Sequence, residues 1–281
     1  MKLKAANARD SVKGNDGGGI KRYLTVGIGL ISLSIGVLCF ASAPITASLK
    51  SVLSQTDRLS HDVQRDSWSK PEAILPLLGL RTGDRVIEIF ASGGYYSELI
   101  ARLVGPTGEV LLHNTASFRA WGVNKLRRRF QGRTPPRGLI QYDREVDDLG
   151  LGQDKFDAAM VVMALHDMYV VPERYDGTRY VAIGQPIGAD HLLRQVWSAL
   201  RPGGRFVVID HEAGSQLDPQ QAFARHRIHE RFVKSALQSI GYVYVGASDV
   251  LKNRHDDGST IVFDWDKGQT SRFVLAFEKP H

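Results

Sequence analysis

The chain has 281 residues, 43% of them hydrophobic, with 36 Lys and Arg against 30 Asp and Glu and one Cys. That length and apolar content support a buried core and exclude a mainly disordered chain, a collagen-like repeat and a disulfide scaffold. The net charge of +6 is concentrated at the start: the first 22 residues carry six bases and two acids, which leaves +2 for the rest, so no nucleic-acid partner is expected.

Residues 1–22 read as a basic flexible tail containing GNDGGG. Residues 23–43 are uncharged and mostly apolar, long enough for a transmembrane helix or for a signal peptide. Lys21 and Arg22 precede them, so the positive-inside rule leaves the tail in the cytoplasm. The expected partner is therefore a membrane, through this N-terminal helix, and the expected location is exported or inner-membrane anchored, with the domain on the periplasmic side. Cys39 lies inside this stretch, so the rest of the chain has no thiol for a disulfide, a nucleophile or a metal. Residues 44–65 are polar and read as a linker or a loose helix, and residues 66–281 as the folded domain.

From there helices and strands alternate. Ser69 is placed to cap a helix over 70–78, shortened by Pro76. RVIEIF (85–90) is a strand apolar enough to be buried on both faces, and Ala91-Ser92-Gly93-Gly94 is a tight loop before a helix over 95–104. GPTG leads into a second strand over 109–113. A basic helix over 118–130, a third strand over 138–142 and a fourth over 156–163 follow. Residues 169–188 interrupt the alternation and read as a lid or a surface loop, with Tyr175, Arg179 and Tyr180 available to clamp an anionic or aromatic acceptor. Then come a helix over 189–200, a strand over 205–210, a helix over 218–241, and closing strands over 242–251 and 272–277. Such alternation demands a mostly parallel sheet with helices on both faces and a ligand crevice at the carboxyl ends of the strands.

The chemistry-bearing residues fall at those ends. Glu88 and the small-residue loop 91–94 follow the first strand, but the phosphate-cradling G-x-G-x-x-G pattern of a nicotinamide enzyme is absent. A buried acid with a small-residue loop suits a nucleoside carrying an amino-acid tail. His166 and Asp167 follow the fourth strand, where a neutral imidazole beside a carboxylate can act as a general base. Asp167 with Asp210 and His211 offers oxygen and imidazole ligands for a divalent ion, or simply a polar rim; no metal is assigned. His226 and His229, with Arg225, Arg227 and Arg231, read as a solvated basic helix face.

The ordered set Val86-Ile87-Glu88-Ile89, Gly93-Gly94-Tyr95-Tyr96, Gly105-Pro106-Thr107-Gly108, Phe156-Asp157, His166-Asp167 with Tyr169, Leu200-Arg201-Pro202-Gly203-Gly204, Asp210-His211 and Arg272-Phe273-Val274-Leu275 resembles class I S-adenosylmethionine-dependent methyltransferases. It is most similar to a bacterial predicted methyltransferase group with an E-I-x-x-G-G-G loop followed by two aromatic residues. The resemblance implies a Rossmann-like α/β fold, a mostly parallel seven-stranded sheet, S-adenosylmethionine as cofactor and methyl transfer to a small-molecule acceptor. It implies a cofactor site of Glu88, Ala91, Ser92, Gly93, Gly94, Tyr95, Asn114, Glu145 and Val146, with Asp147 as the nearby alternative, and catalytic residues His166, Asp167 and Tyr169. Two of the loop's usual glycines are here Phe90 and Ser92, which leaves open a non-catalytic binding protein on a degenerate methyltransferase fold.

Overall fold

Val86, Ile87 and Ile89 alternate between two apolar layers and are all buried, so the strand that carries them must lie inside a sheet covered on both sides. In the computed structural model, which describes residues 45–170, 173–182 and 188–281, this strand is β1 (Arg85–Ile89). It pairs in parallel with β2 (Glu109–Asn114) on one side and β4 (Phe156–Val162) on the other. β3 (Leu139–Asp143) adds to β2, and β7 (Leu200–His211) to β4, both in parallel. β9 (Arg272–Glu278) is antiparallel to β7 and to β8 (Val243–Ser248). The sheet order is β3-β2-β1-β4-β7-β9-β8, the expected seven strands. β5 (Glu173–Tyr175) and β6 (Tyr180–Ala182) form a separate hairpin in the segment read as a lid. The side chains of Tyr175 and Tyr180 lie outside the described residues, and Arg179 is exposed.

Helices cover both faces. α4 (Tyr95–Val104) sits between β1 and β2, as its apolar spacing predicts. α5 (Ala116–Phe130) begins right after β2, capped by Thr115, whose Oγ1 accepts from Phe118 N. α6 (Ala189–Ala199) covers the other face with Leu192, Leu193 and Val196.

Three expectations are corrected. Residues 44–65 are not a linker: they hold α1 (Ile45–Leu53), which buries Leu49 and Val52, and most of α2 (Ser60–Ser69). Ser69 closes α2 instead of capping the next helix; α3 (Pro71–Ile74) starts after Lys70 and tightens into a 3-10 turn over Leu75–Leu78. The helix expected over 218–241 is two helices, α7 (Pro219–Phe223) and α8 (Glu230–Ile240), separated by a turn with His226 in left-handed backbone. The apolar stretch 23–43 lies outside the described residues. Among those described, no helix is long and apolar enough to cross a membrane.

Candidate active site

In this strand order the chain leaves β1 toward β2 and leaves β4 toward β7, so crossovers diverge between β1 and β4 and open a crevice there. A cavity of about 370 Å³ occupies this point, large enough for a small-molecule ligand. Glu88, Phe90, Ala91 and Ser92 line it from the β1 side, and Val162 to Ala164 with His166 and Asp167 from the β4 side.

The loop after β1 takes a glycine-like path at two positions that are not glycine. Phe90 and Ser92 both adopt positive φ, +54° and +50°. The bend turns the Phe90 ring onto Phe118, stacked at 4.4 Å, and against His113 at 5.6 Å. Gly94 does need to be glycine: its φ is +71°, and a Cβ would lie 2.2 Å from Leu112 Cδ1. Gly122 of α5 is required too, because a Cβ there would meet the Ser92 carbonyl carbon at 2.8 Å. α5 thus lies directly on the loop, and Ser92 Oγ is left buried without a hydrogen-bond partner.

Glu88 is 3% exposed. Burial pushes its pKa up to about 7, against the opposing hydrogen bond from Ser97 and the charge of Arg65. Arg65 enters from α2, its guanidinium 4.4 Å from the Tyr95 ring and 5.0 Å from Trp68. α2 is latched in place because the Tyr95 hydroxyl donates to Asp66 at 2.7 Å and the Tyr96 hydroxyl to the Ser69 carbonyl at 2.7 Å.

The far end is built around His166, buried at the start of a 3-10 turn, His166–Tyr169. Its Nδ1 lies 2.7 Å from Asp210 Oδ1 and its Nε2 3.2 Å from Asp167 Oδ1. Burial alone would lower its pKa; the Asp210 carboxylate, with the hydrogen bonds to Asp167 and Asp210, outweighs burial and carries it up to about 10. The two flanking carboxylates favour the protonated ring, which runs against the neutral imidazole base expected from the sequence. His211 is the neutral ring of the pair, pushed down to about 3 by burial and by the charge on His166. Burial opposes ionisation of Asp167, yet hydrogen bonds with His166 and His226 hold it well below the usual carboxylate range.

Of the expected site residues, the cavity brings together Glu88, Ala91, Ser92, His166 and Asp167. Gly93 and Tyr95 face a neighbouring basic cleft lined also by Arg128 and Lys267, and Tyr95 serves as the platform under Arg65. Asn114 is fully buried and its amide is spent on the loop: Oδ1 accepts from Ser92 N at 2.7 Å and Nδ2 donates to Ser92 O at 3.1 Å. Glu145 is exposed and accepts from Ala116 N at 2.9 Å. Val146 packs against the core while its carbonyl accepts from Gln195 at 2.8 Å, and Asp147 is exposed. These three, with Asn114, are not among the residues that line the cavity, whereas the stacked Phe90 and Phe118 are. Tyr169 stacks on Phe223 at 5.0 Å and supports the turn from behind.

Arg65, Trp121, Lys125, His226 and Phe263 also line the cavity and were not expected there. Arg65 fell in the supposed linker. Trp121, 73% exposed at the cavity mouth, is an apolar exception on an otherwise basic helix, a signal that could have been followed. His226 and Phe263 carry no local signal, since only the path of the chain brings them to the crevice.

No family model matches the chain. A curated relative, the ubiquinone/menaquinone biosynthesis C-methyltransferase UbiE of Pseudomonas aeruginosa, is 28% identical over 137 residues, 48% of this chain and 45% of the relative. The UbiE of Pasteurella multocida is 27% identical over 173 residues, 61% of this chain and 54% of the relative. The chain thus spans about half the length of the curated relatives it matches. A solved S-adenosylmethionine-dependent methyltransferase from Aquifex aeolicus has a TM-score of 0.51 at 15% identity, covering 83% of this chain and 98% of that one. The 4+2 cyclase SpnF has a TM-score of 0.53 at 15% identity, covering 84% and 92%. Geranyl diphosphate C-methyltransferase from Streptomyces coelicolor has a TM-score of 0.51 at 14% identity, covering 82% and 87%. The fold is that of class I S-adenosylmethionine-dependent methyltransferases.

Proposed function

We propose that the chain transfers a methyl group from S-adenosylmethionine to a small-molecule acceptor. The observation that carries this reading is the cavity between β1 and β4, with a buried carboxylate at one end and a polar cluster at the other. The residues present fit the cofactor's chemistry. Glu88 can take its ammonium group, and ionises more readily once a cation sits beside it. Arg65 can take its carboxylate, Ser92 Oγ has a free valence for it, and Phe90, Phe118 and Trp121 offer ring faces on which an adenine can stack. The cofactor supplies an electrophilic methyl on a sulfonium.

The chain's own part is alignment. Methyl transfer is an in-line displacement, and holding both reactants aligned in one pocket supplies much of the rate. His166 and Asp167 present an imidazole ring and a carboxylate at the acceptor end, suited to orienting a polar acceptor. The curated relatives are C-methyltransferases of ubiquinone and menaquinone biosynthesis, which is in keeping with a planar acceptor beside Phe263 of the cavity lining.

Isothermal titration of the purified chain with S-adenosylmethionine and S-adenosylhomocysteine tests the proposal. Micromolar binding, weakened about tenfold or more by Glu88→Gln, is expected; no heat at millimolar ligand would overturn it. We propose in addition that residues 23–43 tether the domain to a membrane with its C-terminus outside the cytoplasm. A C-terminal fusion reporter that is active only in the cytoplasm should stay silent, and an active one would refute the tether's orientation.

A further inference from the structure

We infer that His166, Asp167 and His226 form a binding site for one divalent transition-metal ion of the zinc class, opening into the cavity. Each of the three offers a donor atom, and these atoms all lie within 4.8 Å of one another. Asp167 Oδ1 is 3.2 Å from His166 Nε2 and 3.0 Å from His226 Nδ1. Donors held tetrahedrally at about 2.0–2.1 Å from zinc stand about 3.3 Å apart, so an ion can be seated by shifts of a few tenths of an ångström at these two contacts.

The surroundings fix the donors. Asp210 is fully buried, holds His166 Nδ1 at 2.7 Å and accepts the backbone N–H groups of His166 at 3.0 Å and His211 at 2.8 Å. This is the carboxylate–histidine arrangement that orients a metal-binding imidazole, leaving Nε2 toward the cluster. His226 arrives from the opposite direction, in left-handed backbone, its ring 5.3 Å from that of His166 and nearly perpendicular. The next residue, Arg227, anchors the turn through a fully buried pair with Asp256 at 2.9 Å. Two imidazoles and one carboxylate suit zinc or ferrous iron and not magnesium or calcium, whose ligands are oxygens. All three donors border the cavity, so a coordination position remains open to it. An acceptor oxygen bound there would be oriented and made more acidic. That use rests on the methyl-transfer reading, whereas binding of the metal does not.

The test titrates the untagged, chelator-treated full chain with Zn²⁺ by calorimetry and with Co²⁺ by visible absorption. One ion per chain at micromolar affinity or tighter is expected, with Co²⁺ bands in the visible. His226→Ala and Asp167→Asn should each weaken binding at least about tenfold, while His191→Ala, on the exposed side of α6, should not. Far-UV circular dichroism shows which variants are folded; Asp210→Asn, which keeps shape and all three donors, should cost about 10- to 100-fold. Absence of binding, or equal affinity in the His226 and Asp167 variants, would overturn the site. S-adenosylmethionine titrations of the metal-free chain run alongside: cofactor binding without metal binding sinks only the metal site, and metal binding without cofactor binding sinks only the methyl-transfer reading.

Discussion

Phe90, Ser92, Met163 and His226 share two properties: each holds positive φ without being glycine, and each lines the same cavity. Such backbone costs on the order of 1 kcal/mol or more per residue and persists only where the surroundings impose it, as at binding sites. Ser92 carries a second cost, its buried, unpartnered hydroxyl. Ser92→Ala keeps the backbone and removes the orphan, so urea denaturation should show about 1 kcal/mol of added stability. The same change should weaken S-adenosylmethionine binding; a variant that is no more stable and binds equally well would show that the hydroxyl is already satisfied. Glu88 gives a pH signature. Its pKa is 4.5 when unfolded and about 7 when folded, so the folded state binds the proton more tightly between those values. Stability should therefore fall as pH rises from about 4.5 to 7, by up to roughly 3 kcal/mol. Glu88→Gln should abolish that fall and be the more stable protein at pH 8, which denaturation at both ends of the range measures.

At the scale of elements, the sheet was legible and its outer pieces were not. β1, β4 and α4 announce themselves through apolar runs or helical spacing bounded by Gly-containing turns, and the structure has them where that pattern puts them. α2 is different. Its sequence, SHDVQRDSWS, has little apolar content, and its helical state depends on partners far along the chain. Arg129 of α5 is 1% exposed and pairs with Asp62 of α2 at 2.9 Å and with Glu98 of α4. Burial opposes ionisation of Glu98, but Arg133, Arg129 and Arg102 together hold its pKa down at about 2. Removing one partner of a buried ion network leaves an uncompensated charge. Arg129→Ala should cost about 3 kcal/mol and loosen α2, seen as faster amide exchange in 60–69. Unchanged exchange there would mean that the Tyr95–Asp66 latch alone holds the helix. The turn between α7 and α8 was missed for a related reason: its bend is imposed by the Arg227–Asp256 pair, with partners 29 positions apart.

For the whole molecule, the order of strands decides where ligands go. Crossovers diverge between β1 and β4, and the cavity sits at that divergence. A ligand that binds only the folded state stabilises it by mass action, about 2.7 kcal/mol at 100 times its Kd. S-adenosylmethionine at that level should raise the melting temperature by roughly 5–10 °C for a domain of this size. No shift at saturating concentration would argue against the cofactor.

Read alone, the amino-acid sequence determined the alternation of strands and helices, the mostly parallel sheet and a crevice at the carboxyl ends of the strands. All of these follow from local periodicity, turn chemistry and the handedness of crossovers. It also singled out Glu88, Ser92, His166 and Asp167, because a residue's position at a strand's end is a local property. Only the tertiary structure decided that Phe90 and Phe118 stack at the cavity wall, that Asn114 is spent on Ser92, and that Arg65 lines the same cavity as Glu88. It alone brought His226 to Asp167, 59 positions away. These are meetings of side chains from separate segments, and no short-range spacing encodes where the chain's path will cross itself.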